Sequence, residues 1–288
     1  MFRSDSRLVV LHATVLDENG ELVTTLPKSA FKLFENGIEQ NIKVFRREDA
    51  PVSVGLVIDD SGSMISKREK VAAAGLGFIR ASHSENEVFV QHFNEKTYLD
   101  TDFTNDTSRL ERGLTTFDSR GTTAMRDAVR LAITHLEKRG REDKKILVVV
   151  SDGEDNTSHT TQDYVVKQAQ QAGVIVYAIG LLTEVEDDRA RAARRELESM
   201  TQATGGRAFF LNSVEDIGRT TATIARDIRN QYTLAYTPSN EALDGTYRRL
   251  DLQVMADRPI TVRTRAGYFA GASAAAAAEP VAAAESRR

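Results

Sequence analysis

The stretch 52-VSVGLVIDDSGSM-64 joins two kinds of chemistry. Val52 to Ile58 is a continuous apolar run without period-two alternation, the pattern of a parallel strand covered on both faces. Directly after it come Asp59, Asp60, Ser61, Gly62 and Ser63, a cluster of carboxylates and hydroxyls with no cysteine or histidine among them. A buried strand that ends in so many oxygen-bearing side chains needs a reason.

The surrounding chain repeats the first half of that pattern. Lys145 to Ser151 and Val174 to Leu182 are further apolar runs, and Glu87 to Phe93 and Arg207 to Asn212 are weaker strands. Between them Met125, Ala128, Val129, Ala132, Ile133 and Leu136 form a stripe at helical spacing. Ile217, Thr221, Ile224 and Ile228 form another, and Thr204-Gly205-Gly206 is a helix stop. Strand and helix in alternation predict an α/β domain over residues 51–231, with a doubly wound, mostly parallel sheet.

The flanks differ. Leu8 to Asp17 and Phe31 to Phe45 read as strands joined at Glu-Asn-Gly turns. Tyr232 to Pro238, Arg248 to Ala256 and Ile260 to Phe269 alternate, with Leu250, Leu252 and Val254 on one face. Neither flank has enough strands for a core of its own, so residues 1–50 and 232–270 are predicted to pair as a small antiparallel β-sandwich. The alanine-rich tail, 271–288, has no partner pattern and is expected to be disordered.

Composition excludes several functions. Among 288 residues there is no cysteine, so disulfides and thiolate metal sites are ruled out. The five histidines show no paired ligand spacing. A formal net charge of −4 offers no basic excess for nucleic acid, and the basic run Arg189 to Glu196 reads as the solvated face of a helix. No apolar run approaches the about 20 residues of a membrane span. The first residues lack a signal-peptide cleavage pattern, which leaves the compartment unassigned.

In an open α/β sheet, ligands bind beyond the carboxyl ends of the strands where strand order reverses. If the strands ending at Ile58 and Ser151 are neighbours, Asp59, Ser61, Ser63 and Asp152 converge on one crevice, with Gly62 permitting the turn. Carboxylates and hydroxyls without nitrogen or sulfur select a hard octahedral cation, Mg²⁺ or else Mn²⁺. Each residue also has a plain structural reading. Ser61 and Ser63 could cap the next helix, Asp152 could be a turn residue, and Thr123 could cap a helix from Ala124.

Asp59-x-Ser61-x-Ser63 after a first strand resembles the metal-ion-dependent adhesion site of von Willebrand factor type A domains. That family adds a threonine between its second and third main helices, which the resemblance places at Thr123 in 120-RGTTAMRDAV-129, and a later aspartate matching Asp152. The resemblance implies a Rossmann-like fold with Ser61, Ser63 and Thr123 approaching the metal directly and Asp59 and Asp152 acting directly or through water. It implies a non-enzymatic module that binds an acidic residue of a partner protein through Mg²⁺. The flanks resemble a subgroup common in acidobacteria, whose relatives are often exported, so a periplasmic or secreted location is suspected.

Two positions depart from the family pattern. Asp60 stands where a neutral residue is frequent, and either tightens metal binding or faces solvent; Thr122 replaces a frequent glycine and is expected to stiffen the loop. One alternative is a metal-free scaffold of the same fold. Another is a Mg²⁺ phosphatase of the haloacid dehalogenase type with Asp59 as nucleophile, which 151-SDGEDN-156 superficially resembles. That chemistry requires a general acid two positions on, where Ser61 stands. Of the remaining candidates, His92 is expected as half-buried packing and His159 as an exposed loop residue. Glu154 and Asp155 are read as rim or loop charges, and Tyr232 and Tyr236 as sandwich packing.

Overall fold

Strands from both ends of the chain fold against each other, and everything between them builds a separate sheet. The computed structural model describes residues 8–47, 49–116, 119–152, 155–181 and 188–271. The chain opens with β1 (Val9–Asp17), β2 (Phe31–Glu35), β3 (Ile38–Gln40) and β4 (Ile42–Arg46). The middle runs β5 (Ser53–Asp59), α1 (Arg68–Ala81), β6 (Glu87–Phe93), β7 (Thr97–Thr104), α2 (Thr107–Leu114) and α3 (Met125–Arg139). It continues with β8 (Lys145–Ser151), α4 (Gln162–Ala172), β9 (Val174–Gly180), α5 (Asp188–Thr204), β10 (Ala208–Phe210) and α6 (Ile217–Arg229). The close is β11 (Tyr232–Tyr236), β12 (Tyr247–Val254), β13 (Ile260–Arg263) and β14 (Gly267–Phe269).

The central sheet has the order β10-β9-β8-β5-β6-β7, parallel except for β7. Its apolar runs are buried along their whole length, as strands covered on both faces must be. One face packs Val54, Leu56, Ile58 and Val148 against Val71 and Phe78 of α1, Leu110 of α2 and Ile224 of α6. The other packs Val57, Phe89 and Val149 against Met125 and Ile133 of α3, Val165 of α4 and Leu197 of α5. Each such aliphatic side chain contributes about 1.5–3 kcal/mol by leaving water. Edge strand β7 was not anticipated: its sequence, TYLDTDFT, mixes polar and apolar residues and only Thr101 in it is buried.

The flanks form the expected sandwich from two four-stranded sheets, β13-β1-β11-β4 and β14-β12-β2-β3. Each draws strands from both termini, and Leu11, Val15, Leu33, Tyr232, Leu234, Leu250 and Leu252 fill the space between them. The segment expected as one strand from Ile260 to Phe269 is two, one in each sheet. Residues Thr264 and Arg265 make that crossing against Gly205, which adopts φ 86° and where a Cβ would lie 2.6 Å from the Arg265 amide nitrogen. Tyr232 and Tyr236 are buried in this core, as expected. Beyond Gly271 the tail lies outside the described residues, as do Leu182 and Glu154.

Candidate metal centre

The sheet topology places the crevice. From β5 the chain moves to β6 on one side, then crosses through α2 and α3 to β8 on the other, so strand order reverses between β5 and β8. These two strands pair in parallel with Ile58 opposite Val150, which brings Asp59 level with Ser151 at their carboxyl ends. Asp152 is the next residue.

Four of the five expected residues form one hydrogen-bonded chain. Asp59 Oδ1 accepts from the Ser61 amide at 2.9 Å, and its Oδ2 accepts from Ser151 Oγ at 2.6 Å. Ser61 Oγ and Ser63 Oγ lie 3.1 Å apart, and Ser63 Oγ donates to Asp152 Oδ1 at 2.7 Å. The other oxygen of Asp152 is ion-paired with the Lys67 ammonium, at the start of α1. Burial pushes the Asp59 carboxyl up to about 6; bonds from Ser151 and Ser61 oppose the shift, and the Asp152 charge adds to it.

Thr123 stands on the loop between α2 and α3. Gly62 N donates to Gly121 O at 3.3 Å, so the two loops touch. No side-chain hydrogen bond joins Thr123 to the serines; its hydroxyl has no hydrogen-bond partner among the described residues, although the residue is buried. Its backbone is fixed from the far side, where Thr123 N donates to Asn156 Oδ1 at 3.2 Å and Thr123 O accepts from Asn156 N at 3.1 Å.

Several expectations change. Asp60 does not face solvent. It is fully buried, and its Oδ1 accepts from both the amide and the hydroxyl of Ser119, at 2.9 and 2.7 Å. Those bonds hold Ser119 at φ 39°, a left-handed conformation that L-residues otherwise avoid. Asp60 therefore clamps the threonine loop to the aspartate loop. Gly62 has no left-handed φ; the turn that needs glycine is opposite, at Gly121, with φ 75°. Thr122 does restrain its loop, bonding Thr157 Oγ1 at 3.3 Å. His92 is buried rather than half-buried, with Nδ1 2.7 Å from Asp100 Oδ2.

The capping readings also fail. The Ser61 side chain makes no cap bond to the one-turn helix Gly62–Met64, and α3 starts from Ala124 without a side-chain cap. The first-turn amides of α3 are instead taken by Asp155, whose Oδ2 accepts from Arg126 N at 2.7 Å, and by Ser158 Oγ, which accepts from Asp127 N at 3.0 Å. Asp155 is thus a buried structural anchor and not a rim charge. His159 is exposed, as expected.

Sequence reading missed Ser151, Lys67 and Asn156. Ser151 could have been found by aligning the ends of the two parallel strands; Lys67 and Asn156 lack any such local signal. Among the described residues no group of three or more His, Asp or Glu side chains could hold a metal. Among the described residues the hydrogen-bonded chain holds two carboxylates, Asp59 and Asp152, and its other side-chain oxygens are hydroxyls.

Residues 54–154 match the family model described as von Willebrand factor type A domain. The central domain is a von Willebrand factor type A domain. The sequence is 28% identical over 160 residues to Calcium-activated chloride channel regulator 1 of Mus musculus, covering 53% of this chain and 16% of the regulator. The chain therefore spans about a sixth of the length of that curated relative. Among solved structures, a von Willebrand factor type A protein from Catenulispora acidiphila superposes with TM-score 0.53 at 11% identity, over 92% of this chain and 75% of that one. The vWF domain of the type V pili tip protein Mfa5 from Porphyromonas gingivalis gives 0.51 at 14% identity, over 62% of this chain and 95% of that one. At these identities the structural matches speak for the fold; the first extends past the type A domain into the sandwich.

Proposed function

We propose that this protein is a metal-dependent protein-binding module. Asp59, Ser61, Ser63, Thr123 and Asp152 would hold Mg²⁺, with Mn²⁺ as a substitute, and a partner protein would supply an acidic side chain to the open coordination position. A cation held by few formal charges keeps residual electrophilicity for such a carboxylate. The observation that carries this reading is the continuous chain Asp59–Ser61–Ser63–Asp152, whose loop touches the loop that bears the buried Thr123. None of these hydroxyls is used as a helix cap, which leaves their oxygens to a ligand. The role we propose is binding and not catalysis, since the phosphatase alternative needs a general acid two positions after Asp59, where Ser61 stands.

One observation favours the metal-free scaffold: Lys67 already supplies a cation to Asp152. Thermal unfolding separates the two. Mg²⁺ or Mn²⁺ should raise the melting temperature relative to EDTA, by linkage, in the wild type and not in the Ser61→Ala/Ser63→Ala variant. An unresponsive wild type would establish the scaffold. Capture of partners with and without EDTA then tests recognition, and a carboxylate-bearing partner should be lost with the metal. Among the described residues no helix is long and apolar enough to cross a membrane. A periplasmic or secreted setting fits an adhesion-type module and the pilus protein that shares its fold.

A further inference from the structure

A second site lies at the opposite end of the central sheet from the metal crevice. A cavity of about 980 Å³ opens between the end of α4 with the start of β9 on one side and the sandwich on the other. That volume is within the range of small-molecule pockets. Its lining includes Val10, His12, Ile175, Leu243, Arg265 and Phe269.

Arg265 is the anomaly. Three other arginines turned toward the protein have carboxylates: Arg126 has Asp155, Arg248 has Glu35 and Arg263 has Asp227. Among the described residues the half-buried Arg265 guanidinium has no ion pair and no hydrogen bond, and its Nε is buried without a partner. The Tyr268 ring lies 5.5 Å from it. An unpaired guanidinium withdrawn from water is costly unless an anion completes it. Burial above all, with Lys144 and Arg265 adding to it, pushes His12 down to about 3 and keeps it neutral. At the rim, exposed Lys43 is offset by the exposed carboxylates Asp143 and Glu241.

We propose that this cavity binds a small monocarboxylate with a largely apolar body, its carboxylate paired with Arg265 and its body against Val10, Ile175, Leu243 and Phe269. A single uncompensated guanidinium behind a rim with two carboxylates suits one negative charge and disfavours polyanions. Guanidinium and carboxylate match in a two-bond fork, which gives Arg an advantage over Lys at such a position. The site is independent of the metal crevice.

The test uses the full chain in EDTA, so that bound metal plays no part. Binding of octanoate and of N-acetylleucine is measured by calorimetry and thermal shift, beside octanamide, N-acetylleucinamide and inorganic phosphate. At least one carboxylate should bind, and its amide and phosphate should not; which one binds separates fatty acids from acylated amino acids. Arg265→Gln should weaken binding by about 10- to 100-fold, the worth of a charge-assisted hydrogen bond, and Arg265→Lys should fall between. Should Arg265→Gln fail to fold, the acid-to-amide comparison on the wild type and the Arg265→Lys affinity decide. Absence of carboxylate binding, equal binding of acid and amide, or undiminished binding by a folded variant each overturns the proposal.

Discussion

Two buried acidic clusters in this protein make a controlled comparison. In the sandwich, Glu35 Oε2 accepts from the Tyr236 and Tyr268 hydroxyls at 2.5 and 2.8 Å, while Oε1 accepts from Arg248 Nη1 at 3.1 Å. Arg248, almost wholly buried, donates further to the carbonyls of Asn240 and Ala242, to Thr246 Oγ1 and to Asp244 Oδ1. That cluster is closed: strong donors of the protein meet each carboxylate oxygen. In the crevice, Asp59 and Asp152 meet hydroxyls, one amide and one lysine, and hydroxyls can turn their lone pairs to something else. The lesson is that burial of charge alone does not mark a site; the kind of donor around it does.

The largest effect should come from breaking the closed cluster. Glu35→Leu leaves a buried guanidinium without its buried carboxylate, with only the more exposed Asp244 remaining at 3.5 Å, and is expected to lose about 3 kcal/mol of stability. Urea denaturation should give that loss equally in Mg²⁺ and in EDTA. A loss that depends on Mg²⁺ would erase the distinction between the two clusters.

How far each cluster was legible follows from the same difference. Asp59, Ser61, Ser63 and Asp152 were legible because each lies at or just beyond the end of an apolar run, and parallel pairing makes strand ends converge. Thr123 came only from family resemblance, since a loop threonine carries no periodic signal. Arg248 shares the inward face of β12 with Leu250 and Leu252, so its burial could be read from the two-residue period. Its partner Glu35, on a strand more than 200 positions away, could not. The α/β order and the shared sandwich were legible from hydrophobic period alone, whereas edge strand β7 was not, because an edge strand is only partly covered. The solvent-facing alternative for Asp60 failed for a related reason: whether a loop carboxylate faces water depends on which other loop folds over it, here Ser119.

The open cluster can be sharpened by removing its resident cation. Lys67→Met frees Asp152 of an ammonium that would compete with the proposed metal for the same carboxylate. Mg²⁺ affinity should tighten by about tenfold, equivalent to about 1.4 kcal/mol. In EDTA the variant should lose no more than about 1 kcal/mol, since the lysine is partly exposed. Calorimetric titration with Mg²⁺ checks the first figure and urea denaturation the second. An unchanged affinity would mean that Lys67 and the metal do not share Asp152, and would return the lysine to a purely structural role.

The smallest expected effect concerns the wall behind the crevice. Asp127, in the first turn of α3, accepts from the amides of His159 and Thr160, both at 3.0 Å, and from the Thr160 hydroxyl. Burial alone would raise its pKa, but the Thr160 and His159 donors outweigh that and hold the carboxyl below its ordinary 3.8. A depressed folded-state pKa means that the ionised form is preferred in the folded protein. The stabilisation is therefore complete above the unfolded value, near 4, and disappears as pH falls through the lower folded value. Asp127→Asn should lose about 1 kcal/mol at pH 7, and the gap to wild type should narrow steadily below pH 4 in paired urea titrations. Because Asp127 belongs to the wall and not to the oxygen chain, the Mg²⁺ response should survive the substitution. A gap that stays constant from pH 7 to pH 3 would show that the carboxylate charge contributes nothing there, and that this loop is held by shape and backbone bonds alone.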